Sequence, residues 1–70
     1  MEELDKKNII FTHHALARAR ERKLWKYVSK EKFYYDAIPC GLNEVKLGDC
    51  VYAYKNKGRV TIIKTMYKTP

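Results

Sequence analysis

Pro39 and Gly41 divide this chain into two parts of different hydrophobic rhythm, and that change of rhythm constrains the fold more than any other feature. Proline disfavours helix at the residue before it and glycine is a second breaker, so a helical segment over Glu31 to Ala37 must stop near Pro39. Everything after that point reads as sheet. Leu42 to Leu47 alternates, with Asn43, Val45 and Leu47 on one face and Leu42, Glu44 and Lys46 on the other, and Gly48-Asp49 supplies a turn. Cys50 to Tyr54 forms the next strand, Asn56-Lys57-Gly58 a short hairpin loop, and Arg59 to Tyr67 the partner strand. Short loops make these three strands an antiparallel meander.

Upstream of the break, residues 1–7 are charged and unpatterned and read as a flexible arm. Asn8 to Phe11 is a short run rich in β-formers. Thr12 follows it, with a hydroxyl able to cap a helix beginning at His13. Ala15 to Glu21 are mostly strong helix formers, and Leu16, Ala17, Leu24, Tyr27 and Val28 lie on the side expected to face the sheet. The run from Trp25 to Val28 either continues this helix or opens a second one after a bend near Lys23, with Ser29 as another possible cap. The expectation is an α+β fold of order β-α-α-β-β-β. It has an antiparallel four-stranded sheet with two helices packed on one face, in a single domain over residues 8–70. Seventy residues bury only roughly 60% of the unfolded surface, so the core is thin.

Fifteen Lys and Arg against eight Asp and Glu give a net charge of +7. A polyanionic partner, nucleic acid first, is the natural reading, with a merely solvated basic surface as the alternative. No Gly-rich phosphate loop, metal-ligand spacing or Ser/His/Asp or Cys/His set occurs, which argues against hydrolases built on them and predicts neither metal nor cofactor. Two cysteines, Cys40 and Cys50, fit a reduced, cytoplasmic protein. A bridge between them stays open, because the deciding Cα distance is not in the sequence. No apolar run approaches the ~18 residues of a membrane span, and Met1 to Asp5 is too acidic for a signal peptide.

The chemistry concentrates in two places. His14, Arg18 and Arg22 recur at helical spacing on one stripe, an imidazole able to move protons at neutral pH beside two permanent cations that fork around phosphate. Cleaving RNA through its own 2′-hydroxyl needs such groups, and a helix start favours an anion in front of it. The plainer alternative is a surface histidine with arginines paired to Glu21 and its neighbours. His13, pointing toward Leu16 and Leu24, reads as a packed structural histidine. Arg20 either snorkels past the core edge or meets a carboxylate such as Asp36. In the last strand, alternation puts Arg59, Thr61, Ile63, Thr65 and Tyr67 on one face and Val60, Ile62 and Met66 on a better core face, with Lys64 as the exception. The first face offers Arg59, Thr65 and Tyr67 for phosphate contact, base stacking or proton donation, or serves as ordinary strand decoration. Aromatics interleaved with cations, as in Trp25-Lys26-Tyr27, add a weak base-stacking signal.

His14-Ala15-Leu16-Ala17-Arg18-Ala19-Arg20-Glu21-Arg22-Lys23-Leu24 resembles the His-Ala-x-x-Arg-x-x-x-Arg-Gly-Ile signature that opens a family of small uncharacterised domains related to RelE-type toxins. Ile62 to Tyr67 is similar to that family's closing strand, which typically ends in Thr-x-Tyr. Lys23 stands where the family commonly has glycine, and no helix follows the last strand. The resemblance implies a RelE-like fold in the superfamily joining barnase, EndoU, some colicins and RelE, largely metal-independent ribonucleases and often toxins paired with antitoxins. It implies that His14 acts as general acid or base, Arg18 and Arg22 bind phosphate, and Thr65 and Tyr67 orient or donate protons. The function expected is a toxin-type ribonuclease cleaving by transesterification. A non-catalytic nucleic-acid-binding module and a domain binding an acidic antitoxin-like protein are the alternatives.

Overall fold

A computed structural model describes residues 8–69; the expected arm over 1–7 lies outside the described residues. Strand β1 spans Ile9–Phe11 and leads through Thr12 into helix α1, His13–Glu21. Thr12 does more than cap. Its Oγ1 accepts from the Ala15 amide at 3.0 Å, and both its amide and its hydroxyl face carbonyls of the last strand at Ile63 and Lys64. That anchorage fixes the rotation of α1, so Ala15 and Ala19 are the fully buried helix residues. The expected face is corrected: Ala17 and His13 are exposed and Leu16 is half-buried. Two alanines one turn apart let the helix lie close against the sheet, where larger residues would hold it off.

Helix α1 ends at Lys23, which takes φ 58°. The Leu24 amide donates to the Ala19 carbonyl at 2.7 Å and the Lys23 amide to the Arg20 carbonyl at 3.3 Å, the paired bonds of a Schellman motif. Leu24 is thereby turned into the core. The second helix shrinks to a 3-10 turn at Trp25–Tyr27 and a π-helical turn at Lys32–Asp36, the latter closed by the Ala37 amide donating to the Lys32 carbonyl. Ser29 starts that segment by accepting from the Lys32 amide at its side chain and the Phe33 amide at its carbonyl.

The sheet corrects the expected four antiparallel strands. It has five, β2 at Ile38–Gly41, β3 at Glu44–Leu47, β4 at Cys50–Lys57 and β5 at Val60–Lys68 joining β1 in the order β1-β5-β4-β3-β2. Strand β1 pairs parallel to β5, and the other neighbours are antiparallel. The unexpected strand β2 contains the two breakers themselves. Proline lacks an amide proton but is tolerated on an edge strand, and the register slips between Pro39 and Gly41. The β4-β5 turn falls at Gly58 and Arg59 rather than at Asn56 to Gly58, with Gly58 at φ 62°.

The core lies between the sheet and the helical layer. Ile9, Leu24, Cys50, Tyr52, Ile63 and Met66 fill it with the two alanines. Phe33 packs edge-on against Tyr52 and Tyr54 at 5.3 and 5.6 Å, fixing the π turn over the same face. One bulge decides what faces the core on β5. Ala53 pairs with Thr65 but Tyr54 pairs with Ile63, so Lys64 is an extra residue and the alternation changes phase there. The expected single face is therefore split: Arg59, Thr61 and Ile63 share the helical side with Met66, while Thr65 and Tyr67 turn to the other.

Candidate nucleic-acid interface

Among the described residues, helices cover one face of the sheet and leave the other uncovered. Pairing and alternation place Glu44 and Lys46 of β3, Val51, Ala53, Lys55 and Lys57 of β4, and Ile62, Thr65 and Tyr67 of β5 on that open face. Lys46, Lys55 and Lys57 are exposed, and among the described residues none of their ammonium groups has an ion-pair partner. Glu44 is the acid among these residues.

Tyr67 and Glu44 organise one end of this face. The Tyr67 hydroxyl donates to Glu44 Oε2 at 2.7 Å, reaching across β4, which lies between their strands. That bond raises the Tyr67 pKa above its usual 10.0, with lesser contributions from burial and from the Glu44 charge. The ring and its hydroxyl are thus held in one pose. Around them opens a cavity of about 530 Å³ lined by Cys40, Glu44, Lys46, Val51, Tyr67 and Thr69. Such a surface offers an aromatic ring for stacking, a carboxylate acceptor and flanking ammonium groups for phosphates.

The helical stripe sits elsewhere. His14 is exposed in the first turn of α1, and Arg18 pairs with Glu21 at 2.6 Å, the plainer of the two sequence readings for that residue. Arg22 Nη1 donates to the Met66 carbonyl at 2.8 Å, between Thr65 and Tyr67 along β5. Among the described residues, Arg22 is the member of the stripe whose hydrogen bond reaches the closing strand. Among the described residues no hydrogen bond or ion pair connects His14 or Arg18 with Thr65 or Tyr67. Arg59 stands apart again, on the helical side with Ile9, Phe33, Tyr34 and Thr61.

Three other expectations resolve here. His13 is exposed, so it is no packed structural histidine. Arg20 stacks over the Trp25 ring at 4.9 Å and, among the described residues, has no carboxylate partner. Cys40 is exposed, Cys50 is buried, and both are free. Glu44 and Lys46 went unnoticed as site residues. Strict alternation across the meander does not bring them to Tyr67, because without the extra residue at Lys64 the hairpin register would pair Val51 with Met66 and turn Tyr67 to the helical side.

No group of three or more potential metal ligands occurs among the described residues, and none of their helices is long and apolar enough to cross a membrane. Compared with protein-family models, with curated proteins and with solved structures, the chain matches none.

Proposed function

We propose that this protein binds single-stranded RNA on the uncovered face of its sheet. The observation that carries the reading is the combination on one face of exposed Lys46, Lys55 and Lys57 with the braced ring of Tyr67, in a chain of net charge +7. Unpaired bases stack on aromatic rings, and lysines follow the backbone without demanding a sequence.

The test is fluorescence anisotropy of a labelled single-stranded RNA over a range of KCl concentrations. Each phosphate contact contributes a salt slope of about 0.7 for single strands, so reversing Lys46, Lys55 and Lys57 together to glutamate lowers the slope by roughly 2 and weakens binding at every salt concentration. Binding by that triple variant equal to wild type removes the open face from the reading. Binding lost on Arg18→Glu instead transfers it to the helical surface.

A second reading is cleavage of the bound RNA by metal-independent transesterification, as in RelE-type toxins. The Arg22 contact beside Thr65 and Tyr67 favours it, since it brings a guanidinium of the helical stripe to the closing strand. Incubating labelled RNA in EDTA with wild type, His14→Ala and Tyr67→Phe checks it. Intact RNA with wild type, or equal cleavage by all three proteins, refutes that assignment.

A further inference from the structure

Arg59 takes no part in the open face, and its surroundings carry an inference of their own. Beneath the π-helical turn at Lys32–Asp36, the helical side of the sheet is hollowed into a groove. Two adjoining cavities of about 190 and 300 Å³ share Phe33, Tyr34 and Thr61 as walls; the first reaches Arg59, the second Tyr54 and Asn56. A π turn carries an extra residue per hydrogen-bonded ring, and here it is the element that roofs the groove.

The groove holds three kinds of group in one place. Its walls are aromatic, with Phe33 held edge-on to Tyr54. Its polar edge is Asn56, whose Oδ1 accepts from the Thr61 hydroxyl at 2.7 Å while its amide nitrogen has no hydrogen-bond partner among the described residues. At its mouth stands exposed Arg59, without an ion pair among the described residues. Aromatic walls accept a flat ring, a carboxamide presents a donor beside an acceptor, and a guanidinium binds an anion. A larger cavity of about 300 Å³ is at the small end for ligand sites, room for a base whose sugar and phosphate extend outward.

From this juxtaposition we propose that the groove binds an adenine mononucleotide, the base lying beside Phe33 and Thr61, its donor-acceptor edge on Asn56 and its phosphate on Arg59. A carboxamide pairs bidentately with an amino group beside a ring-nitrogen acceptor, an edge that adenine and cytosine present, whereas the guanine edge of N7 and O6 offers two acceptors; of the two, adenine has the larger ring face for the aromatic walls. The groove lies across the sheet from the lysine face, so the inference is independent of RNA binding there.

Calorimetric titration with AMP, adenosine and GMP, with amide chemical shifts followed in parallel, tests it. AMP binds at one site and shifts the amides of Phe33, Tyr34, Asn56, Arg59 and Thr61; adenosine, lacking the phosphate, and GMP each bind about tenfold more weakly or worse. Arg59→Ala lowers AMP affinity to that of adenosine and leaves adenosine unchanged. Asn56→Asp, which replaces the donating amide by a carboxylate, abolishes the preference for AMP over GMP. Both positions are exposed, so neither variant threatens the core. No binding of AMP, equal binding of AMP and GMP, or shifts confined to the open face overturns the proposal.

Discussion

Lys23→Gly is expected to be more stable than Lys23→Ala, and the reason is local enough to be tested cleanly. Lys23 sits at φ 58°, immediately after α1, in the left-handed region where a Cβ crowds the following carbonyl. That crowding costs roughly 1–2 kcal/mol for a residue other than glycine. Glycine escapes it but loses more backbone freedom on folding, which returns roughly 0.5–1 kcal/mol. The balance is a net gain of about 0.5–1 kcal/mol, or roughly 2–8 °C in melting temperature for a domain of this size. Lysine also carries a charge near the helix C-terminus, worth about 0.3–1 kcal/mol, so wild type is not the right reference. Lys23→Ala loses the same charge and keeps the Cβ. Urea unfolding of the two variants side by side therefore isolates the backbone effect, with the glycine variant expected to be more stable by about 0.5–1 kcal/mol. A glycine variant no more stable than the alanine one refutes the argument from left-handed strain. An unchanged denaturant slope in both would show that they remain two-state and equally compact.

Gly48→Ala is expected to act in the opposite sense. Gly48 has φ 57°, and an added Cβ would lie 2.6 Å from the Tyr27 hydroxyl, so backbone strain of about 1–2 kcal/mol is joined by displacement of that ring; thermal unfolding measures it, and an unchanged midpoint would show that the turn relaxes. Tyr52→Phe removes the hydroxyl that donates to the Tyr27 carbonyl at 2.7 Å from a fully buried ring, at a cost of about 1 kcal/mol by urea denaturation. Alkaline stability follows from burial. Burial pushes the Cys50 thiol from 9.0 up to about 12, and it raises Tyr52 as well. A raised folded-state value means stability is complete below the unfolded value and falls as pH climbs above about 9, until the folded group itself ionises near 12. Cys50→Ala should remove about one proton from that pH dependence while leaving the slope below pH 8 unchanged; a full alkaline slope in the variant would contradict it.

The elements were legible where the signal was local. Thr12 as helix cap, the turns at Gly48 and Gly58, and the alternation of Val45 and Leu47 with Glu44 and Lys46 all depend on residues within a few positions of one another, and each stands in the structure. Strand β2 escaped because Pro39 and Gly41 argue locally against a strand, and only an edge position next to β3 makes one tolerable. The rotation of α1 escaped for a similar reason. Its apolar residues suggested one face, but the bonds from Thr12 to β5, formed with residues 51 and 52 positions away, turned Ala15 and Ala19 inward instead.

By itself the sequence determined an α+β chain with a strong positive charge, a capped helix near the start and a meander after Pro39, because composition, capping and period-two alternation act over short distances. The tertiary structure decided which residues meet. A single extra residue at Lys64 reverses the facing of everything after it on β5, parting Arg59 from Thr65 and Tyr67 and delivering Tyr67 to Glu44. No local rule announces that bulge, since it arises from matching β5 to β4 while Thr12 holds the carbonyls of Ile63 and Lys64.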